Sequence, residues 1–119
     1  MKLKKLTTIF IILCIGLSFN TRSVFADGTW TERTGSGSRA WRGISISSDG
    51  SSIIAVVGNS EAGFPFTSVD SGVTWVEQTG ARSENLSSVT SSSDGSKVAA
   101  TVGSVPLGGS IYTSTNGGV

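Results

Sequence analysis

The chain has 119 residues, with 9 Lys and Arg against 8 Asp and Glu, no His and one Cys. Without His there is no imidazole general base, no His-assisted nucleophile and no His-ligated metal site. Only 14% of residues are charged, against about 25% in an average domain, while Gly numbers 16; such a chain favours short strands and tight turns over the clustered Lys and Arg of nucleic-acid binders.

Residues 1–26 read as a secretory signal peptide. Lys2, Lys4 and Lys5 form a basic start, residues 6–17 are apolar apart from Thr7, Thr8 and Gly16, and Val24-Phe25-Ala26 offers a small-residue cleavage site. The apolar run is shorter than the roughly 20 residues of a membrane span. Cys14 lies inside it, preceded by Leu13 rather than the small residue of a lipoprotein site, so cleavage leaves a chain without Cys or disulfides. Cleavage after Ala26 also leaves five basic residues against all eight acidic ones, a net charge of −3. That sign disfavours anionic membranes, nucleic acid and sulfated polysaccharides as partners. The expected location is outside the cell or in its envelope.

From there the sequence repeats. Residues 31–58 align with 76–103 at an offset of 45, with 12 of 28 pairs identical, and residues 67–73 align with 113–119 at an offset of 46. A period of that size marks solenoids and propellers. The repeat divides the remainder into units at 27–75 and 76–119. Ile44 and Ile46 alternate with Ser45 and Ser47, then Ser48-Asp49-Gly50 leads into the β-branched run Ile53 to Val57, a hairpin signal. Val89, Ser93-Asp94-Gly95 and Val98 to Val102 repeat it. Third strands are expected at 64–68 and 110–114 and a fourth at 74–78; Pro65 makes the first copy of the third strand either an edge or irregular. No helical period is present, so the fold class is all-β with antiparallel four-stranded units.

Ser68-Val69-Asp70-Ser71-Gly72-Val73-Thr74-Trp75 fits Ser-x-Asp-x-Gly-x-Thr-Trp, and here the chain resembles the Asp-box, or BNR, repeat of sialidase-like β-propellers. Ser114-Thr115-Asn116-Gly117-Gly118-Val119 is similar, with Asn for Asp, and Thr29-Trp30 matches the end of a preceding box. The resemblance implies propeller blades, of which roughly 4 to 8 close a ring. Two repeats then imply the N-terminal fragment of a longer exported protein, or a ring in which Thr29-Trp30 completes the last blade within or between chains. It also implies a structural role for Ser68, Asp70, Gly72, Thr74, Trp75, Ser114, Asn116 and Gly118, since Asp and Ser side chains brace such a turn and Gly takes its left-handed position. Asp49 and Asp94 read likewise.

Chemistry beyond the turns is sparse. Glu32 and Glu77 hold equivalent repeat positions, Glu61 and Glu84 fall in loops, and no pair is placed as glycosidase chemistry demands. Arg33, Arg39, Arg42, Arg82 and the lone Tyr112 do not reproduce the arginine cluster and tyrosine nucleophile that sialidase resemblance implies; Tyr112 aligns with Phe66 as a strand aromatic. No catalytic residue, metal site or cofactor is expected within the chain. The candidate binding residues are Trp41, Arg39 and Arg42, because a Trp beside Arg can stack on a sugar or anchor a protein; equally, Trp41 replaces Leu86 of the other repeat and can pack between blades. The loops at 59–63 and 104–109 differ between repeats, as binding loops do. Asn85-Leu86-Ser87 forms a glycosylation sequon, relevant only in a eukaryote. Three functions follow: an exported binding module for carbohydrate or protein, part of a sialidase-like or glucanase-like hydrolase, or an assembly factor resembling the propellers that help build photosystem II.

Overall fold

The computed structural model describes residues 28–58, 62–103 and 108–119. The segment expected to be a signal peptide and the first parts of both variable loops, residues 59–61 and 104–107, lie outside them. The chain divides into Met1–Thr31 and Glu32–Val119, and the architecture below belongs to the second unit.

Its described residues form seven antiparallel strands: β1 (Trp41–Ile46), β2 (Ile53–Val57), β3 (Phe66–Ser68), β4 (Val76–Glu77), β5 (Leu86–Ser91), β6 (Val98–Val102) and β7 (Ile111–Ser114). They make two sheets, β1-β2-β3-β4 and β5-β6-β7. Among the described residues the only helical piece is a 3-10 turn at Thr34–Ser36, and no helix is long and apolar enough to cross a membrane. Each β-branched run supplies a central strand, β2 or β6, and the Asp-Gly turn before it is closed by Gly50 or Gly95 at φ 77° or 72°, a left-handed position that favours Gly.

The third and fourth strands are shorter than the sequence suggests. β3 begins only after Pro65, which has no N–H to donate. It is nonetheless interior, paired with both β2 and β4, so Pro65 trims the strand without moving it to an edge. β4 starts two residues later than expected because the Thr74 N–H is taken by the Asp70 side chain at 2.8 Å.

Hydrogen bonds repeat with the sequence. Gly58 N donates to Ala40 O and Gly103 N to Asn85 O, both at 3.1 Å; Ser71 N donates to Ser51 O at 3.0 Å and Gly117 N to Ser96 O at 2.7 Å. The bulge between Trp41 and Gly43 recurs between Leu86 and Ser88. Strands β1-β2-β3 and β5-β6-β7 are thus copies of one unit, and the second sheet, with three strands rather than the four expected, has no counterpart of β4 among the described residues.

Strand alternation gives each sheet two faces. One, the leading face, carries Ile44, Ile46, Ile53, Ala55 and Phe66 on the first sheet and their equivalents Val89, Ser91, Val98, Ala100 and Tyr112 on the second. The other, the trailing face, carries Ser45, Ile54, Val56 and Thr67 on the first and Thr90, Ala99, Thr101 and Thr113 on the second. The core joins Ile54 and Val56 to Leu86, Val89 and Val98, flanked by Ala100 and Val102. The second sheet therefore packs by its leading face on the first sheet's trailing face. Gly43 permits the approach, since a Cβ there would meet Val89 N at 3.2 Å. Ser45 and Ser91 hydroxyls bond at 2.8 Å, and Ser91 N donates to Ser45 Oγ at 3.0 Å.

Candidate functional site

Four turns share one chemistry. Ser68 Oγ donates to Asp70 Oδ1 and accepts from Gly72 N, both at 2.8 Å. The Thr74 hydroxyl donates to Asp70 Oδ2 at 2.6 Å, and Trp75 Nε1 donates to the Gly72 carbonyl at 3.0 Å, tying the ring to the turn. Ser114 Oγ likewise donates to Asn116 Oδ1 at 2.5 Å and accepts from Gly118 N at 3.0 Å, while Asn116 Nδ2 donates to the Val119 carbonyl. In the β1–β2 turn Ser47 Oγ and Ser51 N donate to Asp49 at 2.6 and 3.1 Å; in the β5–β6 turn Ser92 Oγ and Ser96 N donate to Asp94 at 2.5 and 3.0 Å.

These donors lower all three carboxyls from 3.8 to about 2: first the Ser47 hydroxyl at Asp49, the Thr74 hydroxyl at Asp70 and the Ser92 hydroxyl at Asp94. A carboxylate so held is ionised at neutral pH and only accepts hydrogen bonds, which suits a brace and excludes a general acid. Glu84 is also engaged, accepting from the Tyr112 hydroxyl at 3.2 Å while its backbone bridges to Gly63. Glu61 lies outside the described residues. Among those described, no group of three His, Cys, Asp or Glu is placed to hold a metal ion.

The remaining candidate is the leading face of the first sheet. Trp41 meets Phe66 edge to face, centroids 5.4 Å apart, and lies 6.4 Å from Trp75; the Arg39 guanidinium carbon stands 4.4 Å over the Phe66 ring. The depression beside Trp41, Trp75 and Arg39, about 700 Å³, is lined also by Arg33, Ile44 and Ile53. Trp41 and Arg39 are thus brought together. Arg42 is not: it is the extra residue of the bulge, and its Nε donates to the Gly58 carbonyl at 3.3 Å. Phe66 and Ile44 join the face although the sequence did not single them out for binding. Pairing the hairpins about their Asp-Gly turns would have revealed them, because Ile44, Ala55 and Phe66 lie in one cross-strand row.

Ile44 and Ile46 on this face are 66% and 56% exposed, whereas their partners across the strand, Ser45 and Ser47, are half-buried and buried. No family model matches the chain, and no curated protein or solved structure matches it either.

Proposed function

We propose that the chain is an exported, non-catalytic repeat protein, each sheet a propeller-type blade braced by Asp-box turns, that binds a protein partner through the leading face of its first sheet. One observation carries the choice of partner: the equivalent face of the second sheet is the one buried against protein inside this chain. Exposed Ile44, lining one depression with Trp41, Trp75 and two arginines, has the make-up of an interface centre. The non-catalytic reading is supported by the turn aspartates, whose oxygens are committed to their own backbone and hydroxyls. Carbohydrate is the second reading, favoured by Trp41 and Trp75 flanking one depression.

A photo-reactive residue at Ile44, used in the compartment to which the chain is exported, tests this. It should cross-link to a polypeptide, while the same residue at Val69, 75% exposed on a turn, should not. Cross-linking nowhere, together with glycan-array binding that Trp41→Ala abolishes, would replace the protein reading with the carbohydrate one.

A further inference from the structure

Between the two sheets lies a cleft of about 350 Å³ whose walls belong to the buried core: Ile54 and Val56 from the first sheet, Leu86 and Val98 from the second, with Ala100 beside them. The polar groups on it are few. The Tyr112 hydroxyl is bonded to Glu84 at 3.2 Å, and Arg82 is exposed. An apolar space above about 300 Å³ with a small number of placed polar groups has the make-up of a small-molecule site.

The repeat indicates which shape the cleft fits. Its second-sheet wall is the counterpart of the wall around the first sheet's depression, with Leu86 for Trp41, Val98 for Ile53, Ala100 for Ala55 and Gly118 for Gly72. In the first repeat that wall holds an indole. A Cβ on Gly72 would stand 3.6 Å from Trp75 Cζ2, and Trp75 Nε1 donates to the Gly72 carbonyl at 3.0 Å. Gly118 sits in the same turn, at φ 86° against 81° for Gly72, and its N–H donates to the Ser114 hydroxyl at 3.0 Å as Gly72 N does to Ser68 at 2.8 Å. Two differences make the second copy the better receptor. Leu86 is smaller than Trp41, which widens the space, and Ile54 and Val56 cover it from the other sheet, so a ring there is apolar on both faces. Arg82 and Glu84 offset each other in charge, so nothing on the cleft selects an ionised ligand.

We propose that this cleft binds a neutral bicyclic aromatic molecule with a ring N–H, the indole class, its ring between Ile54 and Val56 on one side and Leu86 and Ala100 on the other, its N–H toward the Gly118 carbonyl. The site is separate from the leading face of the first sheet. It stands or falls independently of the protein-binding reading above.

The test is an NMR titration of the exported chain, with labelled Ile, Leu and Val methyls, by indole itself. Saturable shifts should appear at Ile54, Val56, Leu86 and Val98, with nuclear Overhauser contacts from the ring protons to the Ile54 and Val98 methyls. Benzofuran, the same two rings with oxygen in place of the N–H, should bind about 3- to 10-fold more weakly, the worth of one neutral hydrogen bond. Ala81→Trp, in the turn that lines the cleft, should abolish the shifts while the far-UV circular dichroism stays that of the parent chain. Absence of any saturable shift up to the solubility of indole overturns the proposal. So do contacts confined to Ile44, which would put the ring in the first sheet's depression, and so does equal binding of benzofuran, which removes the N–H from recognition. Should Ala81→Trp fail to fold, the ring contacts to Ile54 and Val98 in the unaltered chain still decide.

Discussion

Ser71 has φ 59°, the one non-glycine residue with positive φ among those described, and its counterpart in the second repeat is Gly117 at φ 73°. A side chain in left-handed backbone costs about 1–2 kcal/mol, and Gly returns about 0.5–1 kcal/mol of that as extra freedom in the unfolded chain. Ser71→Gly should therefore raise stability by about 0.5–1 kcal/mol, read as a higher urea midpoint. The turn aspartates give a pH dependence of definite sign. Each carboxyl is lowered on folding from 3.8 to about 2, so each stabilises the fold above pH 3.8 and loses that contribution as pH falls from about 4 through 2. The urea midpoint should decline across that window. In an Asp49→Asn/Asp70→Asn/Asp94→Asn chain the decline should be shallower, because Asn keeps the acceptor oxygen, as Asn116 does with Ser114, but has no proton to gain. An unchanged decline would remove the turns from the account of acid sensitivity.

At the scale of strands, the residue patterns announce strand period and turns but not which face is covered. Ile44-Ser45-Ile46-Ser47 reads as a half-buried strand, and it is one, with the serines inward. The inversion has a physical reason: Ser45 bonds Ser91 across the sheets, and the short side chains let β1 approach β5. No rule of alternation in a single strand contains that, because it depends on what the other repeat presents. The Asp-Gly hairpins and Ser-x-Asp braces, being local, were legible residue by residue. The binding candidates were half legible: Trp41 and Arg39 are neighbours in sequence and in space, while Phe66 and Trp75 reach them only through strand pairing and the turn. Burial, by contrast, is decided between the sheets, and Val56 is fully enclosed there. Val56→Ala should cost about 2 kcal/mol, from lost burial plus the cavity left behind. A cost below about 0.5 kcal/mol would mean that the trailing face of the first sheet is not the packed side.

For the whole molecule, the core residues come from both sheets, Ile54 and Val56 from one and Leu86, Val89 and Val98 from the other. Beyond Ala55 and Phe66, buried on the first sheet's leading face, neither sheet has an apolar interior of its own, and a small isolated sheet has little to hold it in water. The unit from Glu32 to Val119 should accordingly unfold in one step, although its sequence is visibly two repeats. The chain contains fluorophores suited to the test: Trp41 and Trp75 are in the first sheet's aromatic cluster, and Tyr112 is in the second sheet, bonded to Glu84. Tryptophan emission, tyrosine emission in a Trp-free variant and far-UV circular dichroism should give coincident urea transitions once each is referred to its own chain's dichroism curve. A polypeptide ending before β5 should show no cooperative transition at all. Repeats that were independent modules would behave otherwise, with tyrosine and tryptophan signals changing at separate urea concentrations and a truncated chain that still melts. Coincidence would place the cooperative unit at the pair of sheets rather than the repeat, because each sheet needs a neighbour on at least one face to be stable.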